Sequence, residues 1–182
     1  YLEFYGNWGG VDIKQYWNLK DKINKIDPSK LNDNLDNLSK KLESLLESAV
    51  ISQLVSDVPI GMLLSGGVDS SLLVSLASRS SKNLKTFNVA FNDYDAFDES
   101  HHARLIAKTY DCNHHEIEAS KIDPIMFESL AEYFDDPIFD TSMIPTFLLS
   151  EAVSKHCKVA IGGDGGDELF GGYPHYDKLL RI

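Results

Sequence analysis

Two glycine-rich stretches carry the residues best suited to chemistry. The first, Ser65-Gly66-Gly67-Val68-Asp69-Ser70-Ser71, stands where the apolar run Ile60-Gly61-Met62-Leu63-Leu64 gives way to helical spacing. Consecutive glycines allow φ > 0 and expose successive N–H groups, and the helix that follows adds its positive end, so the stretch reads as a phosphate cradle. A nucleoside-triphosphatase P-loop would set a Lys beside the hydroxyl residue, yet none occurs between Ser65 and Arg79. Asp69 stands among the anion-binding groups instead. It would repel a phosphate directly, so the arrangement makes electrostatic sense only with a divalent cation bridging carboxylate and phosphate. The expected ligand is Mg-pyrophosphate.

The second stretch, from Gly162 to Gly172, packs six glycines and three carboxylates (Asp164, Asp167 and Glu168) into eleven residues after an apolar run. A simple turn needs one or two glycines, so a ligand is expected close to this backbone. Crowded carboxylates repel unless a cation or a basic substrate group sits among them. Mg²⁺ takes one or two carboxylates together with phosphate oxygens and water, which makes Asp69 and Asp167 a natural pair. Other constellations are weaker. Asp135-Asp136-Pro137-Ile138-Phe139-Asp140 reads as a helix-ending loop with capping acids. His101-His102 and His114-His115 are adjacent pairs whose members point apart on a helix or strand and do not share a metal. Cys112 and Cys157 lack metal or redox spacing and are expected as free thiols. Neither a G-x-S-x-G elbow nor a G-x-G-x-x-G after the first strand is present.

The elements that must position these loops follow from periodicity. From Leu31 the leucines fall at helical spacing up to Val50 and on to Leu54-Val55 before Pro59, as in a helix packed on a sheet. Strands are expected at Val58 to Leu64, Lys85 to Phe91, His114 to Glu118 and Lys158 to Ile161. Helices are expected at Asp69 to Ser78, Glu99 to Tyr110, Pro124 to Phe134 and Ile144 to Lys155. This alternation predicts an α/β fold, a parallel sheet with helices on both faces, whose ligands bind beyond the C-terminal strand ends where the strand order reverses. Residues 1 to 30 read as a polar leader with scattered aromatics and a turn at Gly9-Gly10. Residues 31 to 182 form the main domain.

The 182 residues suffice for one buried core, and 43% apolar with 25% charged residues is ordinary for a globular chain. A net charge of -11 argues against nonspecific nucleic-acid or membrane binding. Without a long apolar run, a soluble cytoplasmic protein is expected. The first residue is Tyr1, and Lys178 to Ile182 look like the opening of an unfinished helix, so the chain reads as a piece truncated at both ends.

Together the loops carry a resemblance. The blocks Asp57 to Ser71, Phe87 to Phe91, Phe97 to Ser100, Asp136 to Ile138 and Gly163 to Tyr173 resemble the synthetase domain of the asparagine synthetase family, among the PP-loop ATP pyrophosphatases. That resemblance implies an adenine nucleotide alpha hydrolase-like fold, a preceding glutaminase domain for which residues 1 to 30 would be the linker, and ATP with Mg²⁺. It implies a ligase that activates a carboxylate, most simply aspartate, as an acyl-adenylate and amidates it with glutamine-derived ammonia. By similarity Leu64 and Val89 would border adenosine, Ser65, Gly66, Gly67 and Ser70 would hold pyrophosphate, and Gly162 and Gly163 would approach the nucleotide. Asp69 and Asp167 would bind Mg²⁺, while Asp164 and Glu168 would be catalytic. Gly162 replaces a Ser common in the family, and Asp164 stands where many members carry Glu. A relative acting on another carboxylate, a lactam-forming synthetase, or an inactive nucleotide-binding module are the alternatives, and the oligomeric state, homodimer included, stays open.

Overall fold

A computed structural model describes residues 2–4, 11–27, 34–91, 98–118, 124–134, 140 and 142–179. The chain divides into two compact units, Tyr1–Glu43 and Ser44–Ile182. In the first, β1 (Leu2–Phe4) and β2 (Val11–Ile13) pair antiparallel, Leu2 opposite Ile13, and the Gly9-Gly10 turn expected between them lies outside the described residues. A short helix α1 (Leu19–Asn24), not foreseen, starts at Asn18. The Asn18 carboxamide accepts from the N–H groups of Lys20 and Asp21, satisfying two otherwise orphan donors.

The helix α2 (Leu35–Gln53) leads into the second unit. Its expected start at Leu31 lies outside the described residues. Only its last turns meet the expectation of one buried face: Leu46, Val50 and Leu54 join the core, whereas Leu35 and Leu45 are exposed.

There follow β3 (Ile60–Leu63), α3 (Val68–Ser78), β4 (Lys85–Ala90), α4 (Ser100–Thr109), β5 (Asn113–Glu118), α5 (Pro124–Tyr133), α6 (Met143–Ser154) and β6 (Val159–Ile161). The expected strands and helices all form, shorter by a residue or two at several ends. Val58 and Pro59 precede the first strand because proline brings no N–H to a ladder. Two short helices close the described chain, α7 (Gly166–Phe170) and α8 (Pro174–Leu179). The helical opening expected at Lys178 thus begins earlier, at Pro174, whose fixed φ suits a first turn.

The four strands lie parallel in the order β5-β4-β3-β6. The chain steps outward from β3 through β4 to β5, then crosses back to place β6 on the other side of β3. The order therefore reverses between β3 and β6, and the two glycine loops leave from those two strands. Strand alternation sorts the core into two faces. Met62 and Leu64 meet Val50 of α2, Val74 and Ala77 of α3, and Ala103 and Ala107 of α4. Leu63, Phe87 and Ile117 meet Leu149 and Val153 of α6 and Cys157. Helices thus cover both faces, as the alternating pattern requires. Each fully buried Leu, Met or Phe contributes about 1.5–3 kcal/mol to this arrangement.

Candidate active site

The phosphate loop takes its shape from one residue. Gly66 has φ +91°, and a Cβ there would come within 2.7 Å of His102 Cβ and 2.8 Å of the Ala103 amide nitrogen. Only glycine both adopts that conformation cheaply and lets the loop lie against the start of α4. Gly67 then caps α3 without a side chain, so the first turn of that helix has no side-chain cap in competition with an anion. Ser65 and Ser70 close the loop: their hydroxyls lie 3.0 Å apart, the Gly67 N–H donates to Ser65 Oγ, and Ser70 Oγ donates to the Gly67 carbonyl.

The second loop is packed onto this one through Asp69. A Cβ at Gly163 would lie 3.2 Å from Asp69 Cβ, and one at Gly166 would lie 2.7 Å from the Asp69 carboxylate. Gly165 has φ +89° and opens α7, so the turn that carries Asp167 and Glu168 can fold back toward Asp69. The close approach expected from the glycine count is therefore to the partner loop as much as to a ligand. Gly172 is constrained in the same way against Asp167.

Between the loops lies a cleft of about 900 Å³. Leu64, Ser65, Gly67, Asp69, Ser70, Val89, Gly162, Gly163, Asp164, Asp167 and Glu168 all line it. Of the expected site residues only Gly66 does not, because its role is to shape the loop from behind. The charge of the wall is one-sided. Asp69, Glu99, Asp164, Asp167 and Glu168 line the cleft, and among the described lining residues there is no Lys, Arg or His. Five carboxylates facing a polyanion such as ATP need cations, and this donor set suits Mg²⁺ held partly by phosphate oxygens. Among the described residues no three His, Cys, Asp or Glu side chains form a group that could hold a metal ion by themselves.

Several lining residues were not foreseen. Pro145, Thr146 and Leu149 come from α6, which periodicity marks only as a helix. Asn88 lies under the cleft, 6% exposed, with its amide Nδ2 buried and no partner among the described residues. Tyr173 follows α7 and also lines the cleft. Its hydroxyl donates to Glu168 Oε1 at 2.9 Å, and that bond, with the charge of Glu168, raises the phenol above its ordinary pKa.

The remaining candidates fall outside the cleft. His114 bonds Thr86 on one face of the sheet while His115 stacks on Phe87 on the other, so that pair does diverge. The rings of His101 and His102, expected to point apart, instead meet edge to face at 5.6 Å on the exposed start of α4. Cys112 and Cys157 are free thiols. Residues 135–139 lie outside the described residues. Of that acid cluster Asp140 is seen as a turn acceptor for the Ser142 N–H, which holds its carboxyl below the usual range. Among the described residues no helix is long and apolar enough to cross a membrane.

The chain is similar to known proteins over most of its length. The asparagine synthase family model matches residues 41–182. Glutamine-hydrolyzing asparagine synthetase 1 of Bacillus subtilis (strain 168) is 36% identical over 152 residues, 81% of this chain and 23% of that protein. Putative glutamine-hydrolyzing asparagine synthetase 2 of Methanocaldococcus jannaschii is 35% identical over 164 residues, 87% of this chain and 30% of that one. The chain thus spans between a fifth and a third of the length of these relatives. Among solved structures, the NH3-dependent NAD synthetase of Campylobacter jejuni matches with TM-score 0.47 and 18% identity, covering 78% of this chain and 61% of that one.

Proposed function

The chain belongs to the asparagine synthase family, and from that premise we propose that it is the ATP-binding half-reaction site of a carbon–nitrogen ligase. The acceptor carboxylate, most simply that of aspartate, attacks the α-phosphorus of ATP. The α–β bridging bond breaks, pyrophosphate leaves, and an acyl-adenylate remains. Ammonia derived from glutamine then attacks the acyl carbon, AMP departs and the amide forms.

The observation that carries this reading is the meeting of the two loops at Asp69, a carboxylate set between phosphate-binding amides and a second acidic loop. The residues divide the work. Ser65, Gly67 and Ser70 present N–H and O–H donors to the departing pyrophosphate, while Leu64 and Val89 border the adenosine. Asp69 and Asp167 would hold Mg²⁺, which when bound offsets charge on the phosphate oxygens. Asp164 and Glu168 are assigned to the reacting centre, Glu168 being held in orientation by the Tyr173 hydroxyl.

The test is pyrophosphate release from ATP by the natural full-length protein that carries this sequence, with Mg²⁺, glutamine or ammonia, and a panel of carboxylic acids. Aspartate-dependent release with asparagine formed is the expected result. Release with a different acid alone would replace the substrate, and ATP binding with no release for any acid would leave a nucleotide-binding module in place of an enzyme.

A further inference from the structure

The segment that joins β4 to α4 carries a carboxylate with an unusual number of duties. Asp98 Oδ1 accepts from the Phe91 N–H at 3.3 Å and the Ser100 N–H at 3.2 Å, and Asp98 Oδ2 accepts from Ser100 Oγ at 2.8 Å. One side chain thus ties the first residue after β4 to the first turn of α4. Both flanks matter to the cleft, since Phe91 and Glu99 line it. Ser100 is fully buried, so its hydroxyl has been removed from water and depends on the partner it has.

The same turn of α4 packs against the phosphate loop. The Glu99 carbonyl accepts from the His102 and Ala103 N–H groups, and a Cβ on Gly66 would come within 3.0 Å of that same carbonyl. The first turn of α4 is therefore the surface on which Gly66 rests. Whatever fixes that turn fixes how far the Ser65-Gly66-Gly67 amides stand from their ligand.

We propose that Asp98 is a positioning residue for the phosphate loop, holding the start of α4 against Gly66 through its bonds to Phe91 and Ser100. The inference rests on the reading of the cleft as a Mg-ATP site. Asp98 touches no nucleotide itself and acts by keeping the back wall of the loop in register. The hydrogen bonds from Ser100 hold the carboxyl below the usual carboxylate range, which keeps it ionised and its bonds charge-assisted at neutral pH.

The experiment compares the full-length protein with its Asp98→Ala and Asp98→Asn variants. Calorimetric titration with Mg-ATP and with Mg-pyrophosphate is run well below each variant's unfolding temperature, beside pyrophosphate-release kinetics. Asp98→Ala is expected to weaken both ligands about tenfold or more and to raise KM for ATP in step, because small displacements of positioning groups are costly. Asp98→Asn keeps an Oδ1 acceptor and is expected to recover most of that loss. Unchanged affinities in both variants, with only a lower unfolding temperature, would reduce Asp98 to a structural staple and overturn the proposal. If Asp98→Ala does not fold, the conservative variant decides: it must still bind both ligands measurably more weakly than the parent. A parent that binds ATP but releases no pyrophosphate sinks the enzyme reading alone, while the affinities still judge Asp98. A parent that binds neither ligand overturns both.

Discussion

Asp69 has little room, and its neighbours are glycines for that reason. Gly166 faces the Asp69 carboxylate so closely that an added methyl would sit 2.7 Å from it. Gly166→Ala is therefore expected to push the carboxylate aside without altering a single ionisable group. Displacement of a positioned group by about 1 Å costs on the order of a hundredfold in rate. We expect kcat/KM for ATP to fall by that order, with Asp69→Asn at least as severe because it removes the charge as well. Pyrophosphate release by purified variants checks both, and a Gly166→Ala enzyme of full activity would show that Asp69 does not need this fit. The same contact was invisible in the sequence. Glycine counting marked residues 162 to 172 as a place where a ligand approaches the backbone, whereas the close approach seen is that of Asp69 from the partner loop, which strand order brings there and no local pattern names.

At the level of elements, the parallel sheet was largely legible because β3 is an unbroken apolar run buried at its centre and the strands alternate with helical spacing, although β4 carries Lys85 and, at buried positions, Thr86 and Asn88. Less legible was α2, where leucine spacing promised one long buried face and the core takes only its last turns. Periodicity reports that a face is apolar, not how much of it finds a partner. Still less legible were α7 and α8, too short for any period to emerge and started by Gly165 in the left-handed region and by Pro174. Two predictions belong to this scale. Gly61 packs its Cα against Phe87, and a Cβ there would also lie 2.9 Å from Cys157 Sγ. Gly61→Ala overfills the face beneath α6 and is expected to cost about 1–3 kcal/mol in denaturant unfolding. The other concerns protons. His115 stacks on Phe87 and also meets the ring of His156, its Nε2 buried and without a partner among the described residues. Burial, His156 and Lys85 all press its pKa below the ordinary value of 6.5. His114 is lowered too, chiefly by burial. A histidine whose folded pKa is depressed contributes stability that is present above its unfolded pKa and lost as pH falls through the folded one. Stability is thus expected to decline as pH drops below about 6.5, and His115→Phe, which keeps the ring stack and removes the proton, is expected to flatten that decline. Unfolding midpoints between pH 7.5 and 5 give the comparison, and identical slopes would mean the paired rings carry no proton penalty.

For the whole molecule, the decisive property is charge. The chain carries a net -11, and its cleft concentrates that sign, being lined by Asp69, Glu99, Asp164, Asp167 and Glu168. Helix α3 and the loop amides offer partial positive charge, worth about 0.3–1 kcal/mol at an exposed helix end. One like-charge contact at 4 Å costs about 4 kcal/mol at an effective dielectric of about 20. The second figure wins, so backbone dipoles alone do not hold a nucleoside triphosphate here. On the proposed reading, affinity for ATP is conditional on a divalent cation. Removing Mg²⁺ with EDTA is expected to weaken ATP binding by about a hundredfold, since that single repulsion exceeds the roughly 2.8 kcal/mol that a factor of a hundred requires. Added monovalent salt screens exposed charges over about 8–10 Å but cannot bridge a carboxylate to a phosphate, so it should recover only a small part of the loss. The salt arm separates bridging from general repulsion. If NaCl restores affinity as well as Mg²⁺ does, the acidic wall acts as a diffuse field and Asp69 with Asp167 is no metal pair. If neither EDTA nor salt changes the titration, a source of positive charge outside the described lining residues must neutralise the triphosphate instead.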